Sequence, residues 1–114
     1  MPPEQGRHQP RFDFQADLSD LLHLGESDEK IPGVTVNISC YGLGIITFVP
    51  LSPGQNLRII WKQSEGISHF KVAWSMEDQS NKGMFHSGLE LQERQSLPAI
   101  FAAEGFTVPP ECIK

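Results

Sequence analysis

Two short stretches bring together residue types able to do chemistry. In "RHQPR", Arg7 and Arg11 are two of the four arginines in the chain. Pro10 lacks an N–H and biases Gln9 towards an extended backbone, so the two arginines are not a helical pair. In an extended arm they project to the same side, up to ~13 Å apart at a rise of ~3.3 Å per residue. Each guanidinium is a planar fork of donors suited to phosphate oxygens or to the O6/N7 edge of guanine. In the second stretch, "VNISCYGLGI", Asn37 offers an amide donor and a carbonyl acceptor that suit a purine edge, and Ser39 adds a hydroxyl. Gly42 and Gly44 admit backbone angles barred to other residues and leave room for a ligand to approach the main chain. Each stretch also has a plain structural reading, as a solvated arm and as a hairpin turn.

The elements that must position these residues read as β-structure. The chain has 114 residues, 39% of them hydrophobic, with ten glycines and nine prolines. That suits one loop-rich domain with a modest core. Residues 1–11 read as a flexible N-terminal arm carrying the two arginines. From Phe12 the sequence alternates, with Phe12, Phe14, Ala16 and Leu18 facing inward. "GVTVNIS", "LGIITFV", "NLRIIWK", "ISHFKVAWSM" and "MFHSGLELQ" follow, each short and rich in β-branched or aromatic residues. Turns are predicted at 50–55, 63–66 and 77–83, and "GESDEK" reads as a solvated loop. Six short strands over residues 12–92 predict an all-β, closed or nearly closed antiparallel barrel. Trp61, Trp74, Phe48, Phe70 and Phe85 are expected in its core. Residues 93–114 predict a short C-terminal helix and tail, with Ser96 as N-cap, Leu97, Ile100 and Phe101 on one face, and a stop at Gly105 and Pro109-Pro110.

Charge and composition exclude several classes. A net charge of −5, from 9 basic and 14 acidic residues, disfavours a nucleic-acid polymer as partner, because phosphate contacts need a basic face. A small anionic ligand held by a local cationic cluster is compatible with it. No run approaches the roughly 18 apolar residues of a membrane span, so no membrane insertion is expected. The start of the chain has no apolar stretch of the signal-peptide kind, and a cytoplasmic protein is expected. Cys40 and Cys112 match no metal or disulfide spacing, and the four histidines are scattered, so no metal site is expected. There is no nucleophile–base pair and no Gly-x-Ser-x-Gly elbow around Ser39, so the chain does not read as an enzyme.

Taken together, an R-x-x-x-R arm, a strand, an acidic loop and then "VNISCYGLGI" resemble the PilZ domain, a bacterial receptor for cyclic di-GMP. Arg7 and Arg11 match its first motif, and Asn37, Ser39 and Gly42 its [D/N]-x-S-x-x-G. The resemblance runs from about Arg7 to Gln92, and "FHSGLEL" is similar to the close of the family's last barrel strand. It implies a six-stranded antiparallel barrel with cyclic di-GMP as ligand and no other cofactor. The arginines would bind phosphates and guanine O6/N7, Asn37 would hydrogen-bond a guanine, Ser39 would help hold base or phosphate, and Gly42 would supply backbone shape. With no output domain in these residues, the signal would pass by ordering of the arm and contact with an unidentified effector protein.

Three departures from the commonest family pattern bear on the ligand. Asn37 stands where Asp is usual, and an amide offers one acceptor atom to guanine N1–H and N2–H where a carboxylate offers two. Tyr41 stands where a second glycine is frequent, free to stack on a base or pack over the barrel end. Gly6, not another arginine, precedes Arg7, which leans to one ligand per protomer. The alternative is a PilZ-like adaptor that binds proteins without the nucleotide. A small oligonucleotide-binding barrel is a third reading, and the acidic charge counts against it.

Overall fold

The computed structural model describes residues 10–113, with side chains as far as Glu111. Arg7, Gly6 and the rest of the arm up to Gln9 lie outside the described residues, as does the Cys112 side chain. The strands are β1 (Phe12–Asp13), β2 (Leu22–Leu24), β3 (Gly33–Ile38), β4 (Gly42–Thr47), β5 (Asn56–Ile60), β6 (Ile67–Glu77) and β7 (Phe85–Leu91). All pair antiparallel in one sheet of order β1-β3-β4-β7-β6-β5-β2. One helix, α1 (Leu97–Ala103), and a 3-10 turn (Pro110–Ile113) follow.

The six-stranded barrel expected from the sequence is therefore corrected on two counts. Among the described residues there are seven strands, and the ladder does not close. The extra strand is the three-residue "LHL" of β2, too short to display a period. The sheet's two edges, β1 and β2, are consecutive in the chain, and the segment between them breaks the ladder. Phe14 N–H, Thr35 N–H and Leu18 N–H still exchange bonds across β3 (Phe14 to Val36 O, Thr35 to Ala16 O, Leu18 to Gly33 O). Leu21 and Leu22 N–H then both turn back onto Leu18 O, and the chain leaves for the opposite edge beside β5. β1 itself is only two residues long, although Phe14, Ala16 and Leu18 are buried as the alternation predicts.

The inner face of the sheet buries Ile38, Leu43, Ile45, Leu57, Ile59, Phe70, Val72 and Leu89 in alternate positions. The gap between the β1 edge and the end of β5 is filled by α1. Phe101 stands edge-on to Phe14 at 4.9 Å between centroids, to Trp61 at 5.0 Å and to Phe106 at 5.2 Å. Ser96 caps the helix as predicted, its hydroxyl accepting from Ala99 N–H. At the other end Glu104 accepts from Gln63 and Ser64 N–H, tying α1 to the β5–β6 hairpin. Leu97 N–H donates to Cys40 O, tying it to the β3–β4 hairpin.

Two of the five aromatic residues expected in the core are not there. Phe48 is 61% exposed, and Trp74 lies half-buried on the outer face. Phe70 and Trp61 are buried, and Phe85 is half-buried.

The β6–β7 hairpin supplies a pH-sensitive contact. The Asp78 carboxyl is held below its usual 3.8 chiefly by the hydrogen bond to the His86 ring (2.9 Å), and then by the Ser80 N–H. A depressed folded value stabilises the fold above the unfolded pKa, and the contribution disappears as pH falls through the folded value. Asp78→Asn is therefore expected to melt below the wild type at about pH 6, with the gap closing as pH falls through the lowered Asp78 value. Melting curves across that range check it; a gap independent of pH would assign the effect to something other than ionisation.

Candidate functional site

Strand parity by itself would turn Asn37 inward, since Gly33 and Thr35 face the core. A β-bulge prevents this. Thr35 pairs with Ile45 but Asn37 pairs with Gly44, so Val36 is an extra residue that shifts the alternation by one. Asn37 thus faces outward and Ile38 is fully buried. β6 repeats the device: Val72 pairs with Leu89 and Trp74 with Gly88, Ala73 being the extra residue. Trp74 would otherwise continue the inward set Ser68, Phe70, Val72, and the bulge turns it to the outer face.

The two bulges align a row across four strands: Asn37 (β3), Gly44 (β4), Gly88 (β7) and Trp74 (β6). Each outer side chain lies over the neighbouring glycine. A Cβ at Gly44 would sit 2.6 Å from Asn37 Oδ1, and one at Gly88 would collide with the Trp74 indole nitrogen. On the next outward row, a Cβ at Gly42 would come within 2.9 Å of Arg11 Nη2 and 3.0 Å of Ser39 Oγ. The role expected for Gly42 is corrected here. Neither Gly42 nor Gly44 is among the positive-φ glycines, so what the site uses is the missing side chain, not a special backbone angle.

Arg11 crosses this surface and donates from Nη1 to Asn37 Oδ1 at 2.6 Å. Ser39 is buried at the start of the β3–β4 loop; its N–H donates to Gly42 O, as does its hydroxyl at 3.5 Å. Tyr41 is 45% exposed, its backbone held by Leu91 N–H donating to Tyr41 O. Arg11, Ser39, Tyr41 and Gly42 help to line an open cleft of about 680 Å3, and Asn37 joins them through its bond to Arg11. That volume lies within the ~300–1,000 Å3 usual for small-molecule sites.

Five of the six residues singled out in the sequence thus come together, and the sixth, Arg7, lies outside the described residues. Other residues that line the cleft were missed: Trp74, Gly88, Glu90 and Arg94. The glycine was visible in "FHSGLEL", but nothing in the sequence pairs it with Trp74. Arg58, the remaining arginine, is occupied elsewhere, donating to Gly25 O and Ser27 O. Among the described residues no group of three or more His, Cys, Asp or Glu is placed to hold a metal, and no helix is long and apolar enough to cross a membrane.

The chain matches no protein-family model, and neither a curated protein nor a solved structure matches it.

Proposed function

We propose that this chain is a PilZ-type receptor for cyclic di-GMP that passes the signal to a partner protein without catalysing a reaction. The observation that carries the reading is Arg11 held on Asn37 over a glycine-floored outer face, with Ser39 and Gly42 beside it. A guanidinium held by a neighbouring amide, both lying low on the sheet because the residues beneath them are glycines, suits a flat, doubly anionic dinucleotide. Trp74 adds an aromatic face to the cleft, on which a base can stack at about 1–3 kcal/mol. In this reading Arg7 supplies the second cation, Tyr41 lies against a base, and the arm of residues 1–11 closes on the ligand.

The partner step is supported by the adjoining outward row. Val34, Ile46, His86 and Met76 are register neighbours one row beyond the glycines, and Val34 is 41% and Met76 55% exposed. Apolar surface beside a ligand cleft lets a partner sense whether the cleft is filled. It equally fits the alternative, an adaptor that needs no nucleotide.

Calorimetric titration of the full chain with cyclic di-GMP decides between them. The expected result is saturable binding at micromolar concentration or tighter, with a raised melting temperature. No heat and no thermal shift would overturn the receptor reading and leave the adaptor.

A further inference from the structure

Arg94 stands just past β7 and lines the same cleft as Arg11. Arg11 is anchored to β3 through Asn37, whereas the segment carrying Arg94 is anchored to β6. Gln92 N–H donates to His69 O, continuing the β6–β7 ladder one step. Glu93 then grips the same residue twice. Its carboxylate accepts the His69 N–H at 3.1 Å and lies 2.5 Å from His69 Nδ1. Ser96 and Leu97 fix the other end of this segment to α1 and to Cys40. The backbone on both sides of Arg94 is therefore held, while its guanidinium makes no ion pair or side-chain hydrogen bond among the described residues.

We infer that Arg94 is a further anion-binding residue of the cleft, and that the Glu93–His69 clasp positions it there. The inference rests on the receptor reading above. A cyclic dinucleotide carries two phosphates on opposite sides of its ring. Arg11 reaches one from the β3 side, and Arg94 meets the other from the β6 side. Glu93 lines the same cleft, but its engagement with His69 keeps that carboxylate occupied and away from an anionic ligand. Glu90, on the cleft floor beside Gly42, is left to accept from donor groups of the ligand rather than to neutralise Arg94.

The test is a titration of cyclic di-GMP into the wild type, Arg94→Ala, Arg94→Lys, Glu93→Gln and the Glu93→Gln/Arg94→Ala double variant, each with its melting temperature. Arg94→Ala is expected to bind about tenfold more weakly, and Arg94→Lys to recover part of the loss, since lysine keeps the charge but not the fork. Glu93→Gln is expected to weaken binding when Arg94 is present and to add nothing when it is absent. Equal affinity of Arg94→Ala and the wild type would overturn the inference and leave the receptor reading intact. An equal loss from Glu93→Gln in both backgrounds would overturn the positioning role. A wild type that binds nothing would remove the receptor reading and the inference with it.

Discussion

Arg11→Ala is expected to weaken cyclic di-GMP binding by about tenfold to a hundredfold while shifting the melting temperature of the free protein by only a few degrees. The affinity loss follows from charge-assisted hydrogen bonds worth roughly 1.5–3 kcal/mol, at 1.4 kcal/mol per decade. The small effect on stability follows from exposure. In the free protein the Arg11–Asn37 bond is on the surface, where its net contribution is at the low end of about 0.5–1.5 kcal/mol. Arg11→Lys discriminates further. A lysine keeps the charge yet cannot bond Asn37 and a ligand oxygen with one rigid fork, so it is expected to recover only part of the affinity. Calorimetry and thermal melts on the three proteins read both quantities. A large fall in melting temperature with unchanged affinity would recast Arg11 as a structural residue.

What could be read from the sequence, and what could not, divides at the two bulges. Alternation correctly turned Phe14, Ala16 and Leu18 inward, and turn chemistry located the β4–β5 connection and the β5–β6 and β6–β7 hairpin loops. Parity arguments then fail wherever an extra residue enters a ladder, because one inserted position exchanges the two faces for everything that follows. Val36 and Ala73 are ordinary strand residues, so neither bulge announces itself. The consequence at β6 is the misplacing of Trp74: read as core, it stands over Gly88 on the outer face. At β3 the grouping of Asn37 with Arg11 was anticipated from motif order, with no physical account of why the amide should face out. The bulge is that account.

Closure failed for a different reason. Strand number and spacing do not specify whether the first and last edges meet, and here a turn at Leu18 to Leu22 carries the chain from one edge to the other. The rest of the cleft lining was illegible because it is assembled by topology. Trp74 and Arg94 are distant in sequence from Asn37, and only the β4–β7–β6 order brings the three to one surface.

Phe101→Ala is expected to be the most destabilising of these substitutions, costing about 3–5 kcal/mol. The side chain is fully buried, and its ring makes edge contacts to Phe14, Trp61 and Phe106 that no rearrangement of a seven-residue helix can replace. Against a total stability of roughly 5–15 kcal/mol, such a loss is large, and the melting temperature should fall by about 10–20 °C. Phe101→Leu, which refills most of the volume, should lose less than half as much. The effect should also reach the cleft. α1 holds the β3–β4 hairpin through Leu97 N–H and Cys40 O, and it terminates the segment that carries Arg94. Loosening the helix therefore loosens Ser39, Tyr41 and Arg94 together. If the cleft is the ligand site, cyclic di-GMP in hundredfold excess over its Kd should return about 2.7 kcal/mol to the variant by mass action. Thermal melts of Phe101→Ala with and without the nucleotide measure both terms. Destabilisation below about 1 kcal/mol would show that the gap beside the β1 edge is not closed by this ring.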